Sequence, residues 1–296
     1  MDISLFFNAK LPGRDGLYCV ETRQGYLSLI LPMDEVNMLV RPRNATDLNG
    51  DWLSLGGIDS QINGALGLAF GELTPDHFQT LDKISQYLWE QGVDAYLPTL
   101  VTADIDKMRQ SLETLSKFMN ERCLDNRAYI LGVHIEGSFC NSEKGGTQPT
   151  ECLKPLTLES LQVLFGEYIK LIRVITLAPE LDSTGEVIPW LCEHGILANL
   201  GHSLATAVQT KAAFGQGAMM VTPALNTMSS LQYGEMGLLG ATILEPKISC
   251  GLIADGQHIS PQIMDLLLRA RRGRRGNAQH RCENVFLVSD ALAQLG

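Results

Sequence analysis

The sequence predicts an α/β chain of the (β/α)8 barrel class, on three observations. Eight short apolar segments recur from residue 56 onward, and amphipathic stretches of helical length separate most of them. No GxGxxG fingerprint follows the first segment, which counts against an open, doubly wound nucleotide fold.

Before the barrel, residues 1–54 read as a small β subdomain. Ile3 to Phe7, Leu17 to Glu21 and Tyr26 to Leu31 have strand character and are separated by Pro12-Gly13, Gly16 and Gly25. From Leu55 the rhythm changes. The predicted strands are Gly56 to Ile62, Ala95 to Leu100, Tyr129 to Glu136, Ile172 to Leu177, Ile196 to Leu200, Ala218 to Val221, Ile248 to Ala254 and Val285 to Ser289. Between them, helices are predicted over Pro75 to Gln91, with an apolar face of Phe78, Leu81, Ile84 and Leu88, and over Asp104 to Asn120. Further helices are predicted over Leu158 to Lys170, Val187 to His194, Ala205 to Phe214 and Pro261 to Arg272; Thr74-Pro75 and Thr102 to Asp104 supply plausible starts. The domain reading is therefore 1–54 for the β subdomain and 55–296 for the barrel. The eighth strand ends close to Gly296, so the final helix is expected to be lacking.

Bulk properties narrow the function. The 296 residues carry 45% hydrophobic residues and a mean hydropathy of +0.04, an ordinary globular composition. A net charge of −10 argues against nucleic acid or an anionic membrane surface as partner, since both demand a basic face. Arg269 to Arg281 holds six arginines and reads as a solvated loop. Seven cysteines, scattered without CxxC spacing, indicate neither a disulfide framework nor a thiolate zinc site. With no signal-peptide pattern and no apolar run of membrane length, a cytoplasmic location is expected.

The chemistry concentrates where strands end. Tyr129 to Gly137, YILGVHIEG, is an apolar run closing on His134 and Glu136, which alternate with Val133 and Ile135 and so share one side of the strand. They are either metal ligands or a buried structural pair. Other exits repeat the pattern: Asp59, Gln61 and Asn63 after the first strand, His202 after the fifth, Pro223 and Asn226 after the sixth, Asp255 and His258 after the seventh, Asp290 after the eighth. Carboxylates and imidazoles gathered on one barrel face suit a hydrolytic site for zinc or a similar divalent ion. A nearby aspartate could then move a proton between water and leaving group. Asp255, in an Ala-Asp-Gly turn, is read as structural.

The ordered set GGIDSQING, GVHIEG with a following KG loop, ITLAPE, LGHSLAT, LNTMS, GLIADGQH and LVSDALA resembles the N-acetylglucosamine-6-phosphate deacetylases of the amidohydrolase superfamily, over roughly residues 55–296. The resemblance implies a metal-dependent barrel that hydrolyses the N-acetyl amide of an amino-sugar phosphate to acetate and glucosamine 6-phosphate. It also implies a β domain built from both chain ends, incomplete in a chain lacking C-terminal strands, and a homodimer as one form of assembly. It assigns Glu136 and His202 to the metal, Asp290 to proton transfer, and Gln61, Asn63, Thr147, Asn226, Thr227 and His258 to the substrate. Gln61 and Asn63 stand in the QxN form of a branch that works with one metal.

Three positions depart from the family pattern. Pro223 replaces a ligand histidine, Gly234 an arginine for substrate or phosphate, and Thr147 a histidine of the loop after Glu136. Catalytic zinc usually keeps three protein ligands, so weak or absent metal binding is expected, with water or Gln61 as substitute. Three readings follow: an active sugar-phosphate deacetylase, a diverged homologue that keeps the barrel as a binding or interaction protein, and an unrelated barrel enzyme acting on another amide.

Overall fold

A computed structural model describes residues 3–36, 45–121, 125–146, 148–229, 231–271 and 284–296. The chain divides into two compact units, Met1–Gly56 and Gly57–Gly296.

The first unit is a four-stranded sheet of β1 (Ile3–Ala9), β2 (Tyr18–Arg23), β3 (Tyr26–Pro32) and β4 (Ala45–Asp47), in the order β3-β2-β1-β4. Strand β1 runs antiparallel to β2 and parallel to β4. Ala9, Leu11 and Val20 form its small core.

The second unit is a parallel barrel, as the apolar rhythm predicts. It comprises β5 (Gly57–Ile62), the hairpin β6 (Gly64–Ala65) and β7 (Leu68–Ala69), β8 (Val93–Val101), the short β9 (Tyr129–Ile130), β10 (Val133–Glu136), β11 (Ile172–Leu177), β12 (Leu197–Leu200), β13 (Met220–Val221), β14 (Ser249–Leu252) and β15 (Val285–Leu287). Eight of these pair side by side from β15 through β14, β13, β12, β11, β10 and β8 to β5. The ring is nearly closed: just past β15, Asp290 N donates to the Gln61 carbonyl at 2.8 Å and Asn63 N donates to the Ala291 carbonyl at 2.8 Å.

Helices α1 (Phe78–Glu90), α2 (Ile105–Glu121), α3 (Leu158–Phe165), α4 (Val187–Glu193), α5 (Ala207–Gln216), α6 (Gly237–Leu244) and α7 (Pro261–Arg271) pack outside the sheet. Leu81, Ile84 and Leu88 of α1 and Met108, Leu112 and Leu115 of α2 are buried and share one core with Val133 and Ile135 of β10. The barrel interior is layered. Leu97, Val174 and Met220, with Phe286 packed on them, come from alternate strands and make an apolar floor. Thr99, His134, Thr176 and Asn199, on β8, β10, β11 and β12, and Thr222 just past β13 are buried polar residues nearer the exits.

The differences from the sequence reading have local causes. Gly132, at φ +145, splits the predicted third strand into β9 and β10, and Gly166, at φ +52, ends α3 and hands the chain to a 3-10 segment, Gly166–Leu171. Helix α6 was not predicted, because Gly237 to Thr242 are all buried and leave no polar face to set a helical period. Arg269 and Arg271 lie in α7, within the helix predicted over Pro261 to Arg272, and Arg271 departs from the solvated reading of the basic run. Arg271 is 6% exposed, and its guanidinium donates to the carbonyls of Thr242 and Ile248. Arg272 to Arg281 lie outside the described residues.

Ile135 is fully buried and Ile58 is 60% exposed. Chemical denaturation should therefore show Ile135→Ala losing about 2–5 kcal/mol of stability. Ile58→Ala should stay within roughly 0.5 kcal/mol of the parent. Equal losses at both positions would contradict the burial described here.

Candidate active site

Glu136 ends β10 and is 4% exposed. Gly137 follows at φ +137, where a side chain would also run into Thr102, so only glycine lets the chain turn out of the barrel at this point. The Glu136 Oε1 atom accepts from Gln61 Nε2 at 2.7 Å and lies 3.3 Å from His202 Nε2.

His202 leaves β12 with a left-handed backbone, φ +48. Gly201 before it lets β11 and β13 close in, since a Cβ there would sit 2.9 Å from Thr176 Cγ2 and from the Thr222 carbonyl oxygen. The ring donates from Nδ1 to the Lys144 carbonyl at 2.9 Å. Nε2 is thereby left facing a carboxylate. With His202 neutral, Nε2 and Glu136 Oε1 are both acceptors, so the pair needs a positive group: a proton on the ring or a cation between them. Burial opposes the charged ring, but the bond and charge of Glu136 outweigh it, helped by the Lys144 carbonyl and Asp290, and the pKa is raised.

Asp290, also left-handed at φ +48, follows β15. Its Oδ1 accepts from Asn63 Nδ2 at 2.7 Å and from Gln61 Nε2 at 3.3 Å. Burial, reinforced by the nearby Glu136 charge and opposed by the Asn63 bond, raises its pKa to about 6. Gln61 thus spans two carboxylates with one amide nitrogen. Its Oε1 accepts from Thr222 Oγ1 at 3.1 Å, which fixes the orientation of the amide.

One cavity of about 690 Å³ is lined by Asn63, Glu136, His202, Asn226, Thr227, His258 and Asp290, together with Gln148 and Pro223. Among the residues expected to touch substrate, Asn63, Asn226, Thr227 and His258 therefore meet Glu136, His202 and Asp290 at a single mouth. Gln61 is fully buried, outside that lining, and acts on the carboxylates. Thr147 lies outside the described residues. Asn63 Oδ1 and Thr227 Oγ1 are buried polar atoms without a hydrogen-bond partner among the described residues. Asp255 does shape its turn, accepting from the backbone of Gln257 and His258, and those bonds hold its pKa down to about 2. It also bonds His258 Nδ1 at 2.7 Å and so orients that ring.

His134 is a correction. It does not pair with Glu136: Nδ1 donates to the Ser60 carbonyl at 3.0 Å and Nε2 accepts from Thr176 Oγ1 at 2.7 Å, so both nitrogens are satisfied. Complete burial lowers its pKa and keeps it neutral.

Among the described residues, no three His, Cys, Asp or Glu side chains are placed to hold one metal ion. The donors that converge are Glu136 and His202, and Pro223 lines the cavity with no side-chain donor. The pair still suits a cation chemically, as a carboxylate and an imidazole whose second nitrogen is held by a carbonyl. It is an open, two-ligand cradle.

Comparison with known proteins shows what the chain is similar to. No family profile matches the chain. The N-acetylgalactosamine-6-phosphate deacetylase of Escherichia coli O157:H7 is 30% identical over 257 residues, 86% of this chain and 64% of its own length. The mouse N-acetylglucosamine-6-phosphate deacetylase is 33% identical over 257 residues, 84% of this chain and 60% of its own length. A crystal structure of N-acetylglucosamine-6-phosphate deacetylase from Pasteurella multocida superposes with a TM-score of 0.79 at 28% identity, covering 99% of this chain and 72% of that one. Over most of its length the chain is similar to curated N-acetylglucosamine-6-phosphate and N-acetylgalactosamine-6-phosphate deacetylases. It spans about three fifths of the length of the curated relatives it matches. The reading as a barrel that has lost its chemistry finds no support in relatives named as deacetylases.

Similarity to deacetylases makes the unforeseen residues informative. Gln148 lines the cavity, donates to the Glu136 carbonyl at 3.4 Å and accepts from Thr102 Oγ1. Glu180 organises the loops beside His202. Glu180 lies in the ITLAPE stretch just past the fourth strand, so the rule that polar residues at strand exits matter would have found it. Gly234, where the resemblance implies an arginine, is outside the cavity lining, and among the described residues nothing lies within 4 Å of where its Cβ would be.

Because His134 is neutral when folded but takes a proton near pH 6.5 when unfolded, its contribution to stability is complete above that pH and is lost as the pH falls. Denaturant unfolding at pH 7.5, 6.5 and 5.5 should show the parent losing stability on acidification more steeply than His134→Gln, by up to about 1.4 kcal/mol per pH unit. Identical slopes would show that His134 is not held neutral by the fold.

Proposed function

We infer that this chain is the catalytic barrel of a deacetylase that hydrolyses the N-acetyl amide of N-acetylglucosamine 6-phosphate, or a closely related N-acetylated hexosamine 6-phosphate, to acetate and the amino-sugar phosphate. The observation that carries this reading is the convergence of Glu136, His202 and Asp290 on one cavity, with Asn63, Asn226, Thr227 and His258 lining the same space. Its volume, about 690 Å³, falls in the range of small-molecule sites.

Asp290 is the proton-handling group. A carboxyl raised to about 6 is mostly ionised at pH 7, yet basic enough to take a proton from the attacking water and return it to the departing nitrogen. Asn63 and Gln61 hold the Oδ1 atom of Asp290 in place for that exchange. His258, steadied by Asp255, would contact the substrate near its scissile carbonyl, and Asn226 and Thr227 would hold the sugar.

Glu136 and His202 would hold one divalent ion, zinc or similar. Bound there, such an ion supplies Lewis-acid polarisation of the acyl carbonyl and a more acidic water. With two protein ligands rather than three, its affinity is expected to be low. Cys19, Cys140, Cys152, Cys192 and Cys250 are free thiols, in keeping with a reducing cytoplasmic setting. Among the described residues, no helix is long and apolar enough to cross a membrane.

The deciding assay is acetate release from N-acetylglucosamine 6-phosphate with added zinc. The rate should climb with pH through about 6 as Asp290 ionises. Asp290→Asn should lower kcat by roughly 10²–10⁴-fold. Unchanged kcat in that variant would remove Asp290 from the chemistry, and no acetate from the parent would end this reading. Elemental analysis offers an independent check. The dialysed parent should retain well under one equivalent of metal and Pro223→His should retain more, whereas stoichiometric metal in the parent would contradict the two-ligand cradle.

A further inference from the structure

Glu180 sits in the one-turn 3-10 segment Pro179–Leu181 that follows β11, beside the cavity but outside its lining. Its Oε1 accepts from Asn141 Nδ2 at 3.0 Å and from Leu204 N at 2.6 Å, and its Oε2 accepts from Ser203 Oγ at 2.7 Å. The donors belong to two different loops. Asn141 lies in the loop after β10, while Ser203 and Leu204 directly follow His202 in the loop after β12.

Both loops meet at the His202 ring. Asn141 N donates to the His202 carbonyl at 2.9 Å, and Asn141 Oδ1 accepts from Glu143 N at 3.0 Å, capping the 3-10 turn Ser142–Lys144. The last residue of that turn provides the carbonyl that receives the Nδ1 proton of His202. One carboxylate therefore ties down the backbone carrying the ring and the turn carrying its acceptor. A left-handed backbone at His202, φ +48, is costly for a side chain with a Cβ and persists only if its surroundings enforce it.

We propose that Glu180 is a positioning residue that fixes the aim of His202, keeping its Nδ1 proton on the Lys144 carbonyl and turning Nε2 toward Glu136. The claim concerns the hydrogen-bonded protein alone and stands on geometry independent of the deacetylase reading; it rests on that reading only in giving Nε2 a cation to face. Removing Glu180 would leave the two loops joined through the Asn141 N to His202 carbonyl bond without the carboxylate clamp, and would let the ring turn away from Lys144. Gln at 180 would keep the clamp, since its oxygen can accept from Asn141 and Leu204 and its amide nitrogen can donate to Ser203 Oγ.

Nitrogen-15 NMR of histidine side chains in the metal-free chain tests this, with the His202 signal assigned through His202→Gln. Parent and Glu180→Gln should both show an exchange-protected Nδ1 proton on His202. In Glu180→Ala its exchange should speed up on the order of tenfold or more, while the His134 Nδ1 proton, bonded to the Ser60 carbonyl, stays as protected as before. Should Glu180→Ala fail to fold, Asn141→Ala breaks the same chain at its next link and should also accelerate exchange at His202 alone. A His202 proton unmoved in the folded variant, or His134 and His202 loosened together, would overturn the assignment. Because no cation or substrate enters the measurement, failure of the parent to release acetate is a separate result.

Discussion

The burial of the Glu136 carboxylate is the constraint around which the site is built. An ionised group this far from water is tolerable only when donors and positive charge surround it. Gln61 gives it an amide hydrogen and His202 faces it with a ring nitrogen. Each of those groups is itself held, Gln61 by Thr222 and His202 by the Lys144 carbonyl. The arrangement extends back through the barrel, where Asn199 Nδ2 donates to Thr176 Oγ1 and Thr176 satisfies His134. Polar side chains from successive strands thus support a single charge at the mouth.

Layering explains why this is affordable. The apolar floor of Leu97, Val174, Met220 and Phe286 fills the far end of the barrel, and the helices cover its outside. Burial and the nearby Glu136 charge raise the pKa of Asp290 to about 6, while Gln61 and His202 gather round Glu136. Asp290 is thereby set to exchange a proton near neutral pH, a property given by its surroundings.

Much of this was legible in the sequence because it depends on short-range pattern. Buried parallel strands announce themselves as apolar runs, and the residues that end them are marked by a change to polar character, as at Glu136, His202 and Asp290. What failed depends on three-dimensional satisfaction. His134 has the spacing of a partner for Glu136, yet Ser60 and Thr176, contributed by other strands, claim both its nitrogens. Gln61 donates one amide nitrogen to two carboxylates, a partnership that no spacing in the sequence announces. Arg271 looks like part of a solvated basic run, whereas its guanidinium is spent on buried carbonyls. Helix α6 carries no amphipathic signal because both its faces are covered. In each case the deciding partner is remote in the chain.

The central claim is that Glu136 and His202 face each other across a gap that one cation can bridge. The most direct measurement is anomalous diffraction from crystals of the chain soaked in a zinc salt. The account predicts a single peak within bonding distance of both Glu136 Oε1 and His202 Nε2, abolished by His202→Gln. Zinc bound elsewhere in the cavity, with that gap left closed, would contradict it.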